Sequence, residues 1–234
     1  MRYALIIHLS SPMQSWGMRS LFQRRSAGTA PTKSAICGMV CAALGVEKQS
    51  EEEKAVIREF NSILMSSFSP CHREKAHGCI LRDFHTVQNT RAAKDKQAKQ
   101  NTVITEREYW LDRKFIVLLE SANKTFLEQA AEALRNPKWG IWFGRKCCIP
   151  AEPLIQEDIL SAAEARDSIF QDVDHDKLEI YSELEEFDSS AELWNDAPVS
   201  FGRADSSGRE ERCYGQRAVR HITPIAEGRD FFAF

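Results

Sequence analysis

The run QNTRAAKDKQAKQNT, Gln88 to Thr102, sets Arg91, Lys94, Lys96 and Lys99 against a single acid, Asp95, with no proline or glycine. Cations at short, irregular spacing suit contact with a polyanion, and Arg82, His85 and Arg107 flank the run. A polar connection of this length is uncommon inside a compact domain unless it is functional or disordered. The flanks Gly78 to Val87 and Val103 to Trp110 read as strands, so the run is expected to cap a hairpin finger that grips RNA.

Two further segments carry candidate chemistry. The loop PMQSWG, Pro12 to Gly17, offers the Gln14 amide for a base edge, Ser15 beside it, and Trp16 as a stacking face. The helix start PTKSA, Pro31 to Ala35, offers free N–H groups with Lys33 and Ser34 beside them, a ready phosphate site. The alternative is that Met13 and Trp16 plug the core and Lys33 is a surface lysine on a capped helix. In GIWFGRKCCIPAEP, Gly140 to Pro153, the glycines would let the backbone approach a ligand while Arg145 clamps a phosphate; a plain helix-to-strand connector is the competing reading.

A ribonuclease needs a general base, a general acid and a cation close together, and His85, Tyr109 and Lys114 or Arg107 on adjacent strands are the candidates. A lone strand histidine is more often structural or base-contacting. Cys71, His72, His77 and Cys79 are soft zinc ligands, but they flank a tight hairpin. Asp172, Asp174 and Asp176 alternate like the opening of a calcium loop, yet Lys177 stands where glycine is required. Cys37 and Cys41, at i and i+4 of a helix, are most simply core residues. No metal or other cofactor is expected.

The elements that must position these groups follow from periodicity. YALIIHL, Tyr3 to Leu9, reads as a central strand buried on both faces. A loop leads to a helix in PTKSAICGMVCAALG, capped by Thr32 or Ser34 and closed by Gly45. Ser50 and Glu53 form a capping box for a second helix, and Phe60 to Phe68 reads as a strand. The finger follows, then a strand at KFIVLLE and a helix at KTFLEQAAEALRN that Pro137 ends. A strand at LEIYSEL and a final hairpin around Ser206, Ser207 and Gly208 complete the expectation.

With 234 residues and 43% hydrophobic content the chain can bury a sizeable core. The net charge of −3 hides an asymmetry. Leu154 to Asp196 holds 14 acidic and 2 basic residues, leaving 29 basic against 20 acidic elsewhere. One face can therefore attract phosphate while the acidic stretch faces solvent or a protein neighbour. Seven cysteines without a CxxC pair fit a reducing cytoplasm, and no stretch is long enough to span a bilayer.

Five segments in order, PMQSWG, PTKSAICGMVCAALG, LRDFHTV, TEREYW and GIWFGRKCCIP with the following EPL, resemble the CasD family of type I-E CRISPR Cascade subunits. They cover roughly Arg2 to Leu154. The resemblance implies an α+β fold with a ferredoxin-like or RRM-like core in residues 1–153, a thumb hairpin at about 83–108, and a smaller β-rich extension in 154–234. It implies a non-catalytic subunit that binds the 5′ handle of crRNA, caps the backbone filament and supports antiviral DNA interference. Partners would be the adjacent backbone subunit, the large PAM-reading subunit and, through the complex, target DNA. Handle contacts would come from the PMQSWG loop, Lys33, Ser34, Arg82, His85 and Arg145, with Arg24, Arg25, Arg91, Lys94 and Lys96 as electrostatic helpers. A sister branch, type I-C, uses the same fold as a metal-independent ribonuclease that processes precursor crRNA, which is the alternative, beside a generic RNA-binding module.

Overall fold

The computed structural model describes residues 1–18, 20, 21, 23–70, 80–90, 101–172, 178–202 and 212–223. Strand β1 (Tyr3–Ser10) alternates Leu5, Ile7 and Leu9 toward one apolar cluster and Ala4 and Ile6 toward another, as a strand buried on both faces must. Two-residue strands β2 (Met13–Gln14), β3 (Ser20–Leu21) and β4 (Arg24–Arg25) precede helix α1 (Lys33–Leu44). Thr32 caps α1 by accepting from the Ala35 N–H, and Gly45 ends it at φ 71°, a left-handed conformation glycine adopts without strain. Helix α2 (Glu51–Ser62) starts at Ser50, whose hydroxyl accepts from the Glu53 N–H. Phe60, expected to open a strand, instead completes the buried stripe of Val56 and Ile57 on α2, and strand β5 (Leu64–Pro70) begins two residues after the helix ends.

The long hairpin is β6 (Ile80–Thr90) with β7 (Asn101–Leu111), followed by β8 (Lys114–Ser121) and helix α3 (Lys124–Arg135). Beyond these come β9 (Leu160–Ser161), α4 (Ala162–Asp172), β10 (Leu178–Glu183), β11 (Ala191–Ser200) and β12 (Cys213–Ile222). Seven strands form one antiparallel sheet in the order β11-β12-β10-β5-β8-β1-β9. The C-terminal strands thus extend the sheet built by β1, β5 and β8. Helices α1, α2 and α3 cover one face around Trp16, Phe60 and Phe143, and α4 covers the other with Ala165 and Ile169. The hairpin belongs to a second sheet with β2, β3 and β4, anchored where Trp110 Nε1 donates to the Gly28 carbonyl at 2.7 Å. The fold is α+β, and no described helix is long and apolar enough to cross a membrane.

Several carboxylates of the acidic stretch pair with cations of the same chain. Glu157 meets His8, Asp158 meets Arg135, Glu179 meets Arg113 and His221, Glu185 meets Arg2, and Asp188 meets Arg220. The stretch thus faces solvent while also neutralising cations of its own chain.

Candidate nucleic-acid interface

Two loops clasp each other beside the start of α1. The Ser15 N–H donates to the Phe143 carbonyl at 3.1 Å, and the Trp16 and Phe143 rings lie 5.6 Å apart in the core. Gly144 adopts φ 88° against the Ser15 carbonyl, where a Cβ would collide with that oxygen. Glycine is required there for both reasons. The turn then closes on itself, Cys148 N–H to Arg145 O at 2.8 Å and Phe143 N–H to Cys148 O at 2.9 Å. Arg145 is thereby laid over the Tyr109 ring, 4.7 Å from its centre, with Nη1 donating to Tyr109 Oη at 3.2 Å and Nη2 to the Arg25 carbonyl at 3.1 Å. These bonds use two of the guanidinium's five N–H donors.

The clasp forms one wall of a cleft of about 660 Å³. Arg25, Lys48, Arg145 and Arg212 line it, and among the described residues no carboxylate does. Trp142, Phe201 and Tyr214 supply aromatic surface, with Trp142 36% and Tyr214 40% exposed. Ser34 adds a hydroxyl at the start of α1, and Ser15 and Thr32 line the wall with their hydroxyls engaged by the Glu108 carbonyl and the Ala35 N–H. Four cations with no carboxylate among the described lining residues attract phosphate, and exposed rings offer π-faces to unpaired bases.

The residues singled out from sequence divide sharply. Ser15, Arg25, Ser34 and Arg145 meet at this cleft. Gln14 and Trp16 do not present themselves to a ligand. Gln14 is fully buried, donating to the carbonyls of Leu9 at 3.0 Å and Arg113 at 2.5 Å while accepting from Trp16 Nε1 at 3.0 Å. Its amide and the indole satisfy each other, so the base-reading and stacking roles are corrected to a core lock. Lys33 is corrected too. It is 1% exposed, its Nζ donating to Ile63 O at 2.6 Å and Glu183 Oε1 at 2.8 Å. Burial lowers its pKa and the Glu183 carboxylate opposes that shift. The anion at the α1 N-terminus is the protein's own: Asp196 accepts from the Lys33 N–H at 2.8 Å and holds Arg217 through two bonds.

On the hairpin stem, Arg82 lies 3.3 Å from Glu108, Arg24 3.4 Å from Glu106, and His85 3.9 Å from Asp83. Arg107 stands opposite Asp83 in the register. Residues 80–90 and 101–111 carry Arg82 and Arg107 against Asp83, Glu106 and Glu108, a net −1. The stem is thus not itself a cationic grip. Exposed apolar residues are interspersed with its charges on both sides, with Ile80, Phe84 and Ile104 on one face and Leu81, Val87 and Val103 on the other. Arg91, Lys94 and Lys96 lie outside the described residues, as do Cys71, His72, His77 and Cys79 of the zinc reading and Asp174 and Asp176 of the calcium reading.

The ribonuclease trio is not brought together. His85 pairs with Thr105, four residues from Tyr109 along β7, roughly 13 Å at the rise of a strand. Lys114 is on β8, 3.1 Å from Glu152, and the Tyr109 hydroxyl is engaged by Arg145.

Lys48, Trp142, Phe201, Arg212 and Tyr214 went unnoticed as site residues. Trp142 had a signal, an aromatic between two glycines and beside a basic pair. Arg212 and Tyr214 reach the cleft through the pairing of β12 into the sheet, which no local pattern announces.

Residues 4–220 match the family described as CRISPR-associated protein (Cas_Cas5). Over 157 residues, 66% of this chain and 70% of the relative, the sequence is 29% identical to the CRISPR system Cascade subunit CasD of Escherichia coli strain K12. A chain of a CRISPR RNA-guided surveillance complex superposes with a TM-score of 0.69 at 25% identity, covering 94% of this chain and 89% of that one. A crystal structure of a Cas protein gives 0.63 at 24% identity, covering 94% of both chains, a likeness of fold. With nearly its whole length matched by the family and its fold shared with such proteins, the chain belongs to the Cas5 family of CRISPR-associated proteins.

Proposed function

We propose that this protein is a non-catalytic subunit of a type I-E Cascade surveillance complex, in which it holds the 5′ handle of crRNA. The observation that carries the reading is the cleft where Arg25, Lys48, Arg145 and Arg212 surround exposed Trp142 and Tyr214, with no carboxylate among its described lining residues. Single-stranded RNA is recognised by splaying bases onto aromatic faces while cations follow the backbone, and the cleft has both components. Arg145 is the central phosphate ligand, preset by Tyr109 and by the turn around Gly144.

The stem suits a second task. Exposed Ile80, Phe84 and Ile104 would be covered by protein, and the adjacent backbone subunit of the filament is the partner we assign to them. The charged tip, Arg91 to Lys99, extends the RNA contact beyond the cleft. Residues 1–153 form the RNA-binding core with its thumb at about 83–108, and 154–234 complete the sheet and face the large PAM-reading subunit. Target DNA is read by guide pairing within the complex, in the cytoplasm.

The separation of His85 from Tyr109 supports the non-catalytic reading over the processing ribonuclease. Purified protein incubated with precursor repeat RNA in EDTA leaves the RNA intact on this account. Cleavage at one site, abolished in His85→Ala, would overturn it. Handle RNA binds more tightly than a scrambled strand of equal length at physiological salt; equal affinity would reduce the protein to a generic RNA-binding module.

A further inference from the structure

Beside the clasp that carries Arg145 lie two adjacent cysteines whose Sγ atoms are 4.0 Å apart. Cys147 is exposed, with its sulfur 3.9 Å from the Tyr109 hydroxyl, and Cys148 is buried. Cys37 and Cys41 are both buried on α1, and Cys213 is exposed on β12, so 147–148 is the adjacent pair among the described residues with one sulfur open to reagents. We propose that Cys147 and Cys148 are a thiol-modification site that a low-molecular-weight disulfide closes into a vicinal disulfide, and that closure withdraws Arg145 from the RNA cleft. The consequence for RNA rests on the function proposed above; the thiol chemistry does not.

The steps balance. The Cys147 thiolate attacks one sulfur of the reagent, forming a mixed disulfide while the S–S bond of the reagent breaks and the first thiolate leaves. Cys148 then loses its proton and attacks Cys147 Sγ, expelling the second thiolate. Two cysteine thiols are oxidised by two electrons, one disulfide is reduced, and the two cysteine protons end on two released thiols. Burial, with the neighbouring Cys147 thiol adding to it, pushes the Cys148 thiol up to about 12, so exposed Cys147 is the sulfur that reacts first.

The product must move the loop. A disulfide needs sulfurs about 2.05 Å apart, and adjacent Cα atoms sit about 3.8 Å apart across a trans peptide, below the usual span of a bridge. The eight-membered ring therefore reorients the 147–148 peptide. That peptide supplies the Cys148 N–H to Arg145 O, and the Cys148 carbonyl accepts from Phe143, the two bonds that set the turn. With the turn lost, the guanidinium leaves Tyr109 and the Arg25 carbonyl. A strained, exposed bridge of this kind is readily reduced again, which makes the change reversible.

The test uses the full-length chain, reduced, then treated with glutathione disulfide, then returned to dithiothreitol. Peptide mass mapping reads closure as loss of two hydrogens across Cys147 and Cys148, and fluorescence anisotropy reads affinity for a handle-derived RNA strand. The expected result is closure with about a tenfold loss of affinity, the scale of one charge-assisted contact, restored on reduction and absent in Cys147→Ser and Cys148→Ala. Closure with unchanged affinity, arrest at the mixed disulfide, or equal loss in Cys147→Ser would each overturn the proposal. Should the reduced protein fail to bind the RNA, the functional reading falls and the gating with it, even where the mass change is seen.

Discussion

Lys33 and Arg145 occupy equivalent places in the sequence, each a cation beside a loop that reads as a phosphate site, yet the fold uses them in opposite ways. Lys33 is consumed by Glu183, 150 residues away, and its backbone N–H by Asp196, 163 residues away. Among the described residues Arg145 meets a phenol and a carbonyl, both neutral, and faces a cleft that none of their carboxylates line. The difference is where the acidic stretch lands. Through β10 and β11 it delivers carboxylates to one side of α1 and, among the described residues, none to the cleft on the other. A positive charge becomes a ligand site where the fold withholds its counter-ion.

The largest effect that sharpens this contrast is on the consumed side. Glu183→Ala leaves Lys33 and Arg217 buried without their shared carboxylate and strips the acceptor from the Met65 N–H, so it should cost about 3–5 kcal/mol in urea unfolding. The RNA affinity of the protein that remains folded should be unchanged. On the other side, Arg145→Ala should weaken handle RNA by about 1.5–3 kcal/mol and flatten the salt dependence of binding, while moving unfolding by less than about 1 kcal/mol. A variant that unfolded the protein instead would erase the distinction.

Within the cleft, Tyr214→Ala should lose about 1–3 kcal/mol of RNA binding with the salt slope intact, separating stacking from charge. The smallest effect belongs to the stem. Arg82 is exposed and already paired with Glu108, so Arg82→Ala should shift both stability and RNA affinity by less than about 0.5 kcal/mol. A tenfold affinity loss there would move the RNA contact from the cleft to the stem.

What was legible in the sequence is what local physics determines. The two-sided burial of Tyr3 to Leu9, the Thr32 and Gly45 caps and the Ser50 cap of α2 all depend on neighbours within a few residues, and all formed, although the Glu53 carboxylate takes the Gln49 N–H rather than closing the box on Ser50. Helix α4 escaped notice because Ala165 and Ile169, with partly buried Ala162 and Phe170, make a stripe too narrow to stand out in an acidic run. Gln14 and Trp16 looked like recognition groups because their partners are invisible locally: the Arg113 carbonyl that Gln14 reaches is 99 residues away. Arg145 was legible through its glycines, whereas Arg212 and Tyr214 needed the sheet to bring them in. Misread cations and missed aromatics thus have one origin, contacts made across the sheet.

The claim that the cleft beside α1 holds the RNA is tested most directly by photo-crosslinking bound handle RNA and locating the adducts by mass spectrometry. The account predicts adducts on the peptides containing Trp142 and Tyr214. Adducts confined to residues 80–90 and 101–111, with the cleft peptides unmodified, would contradict it.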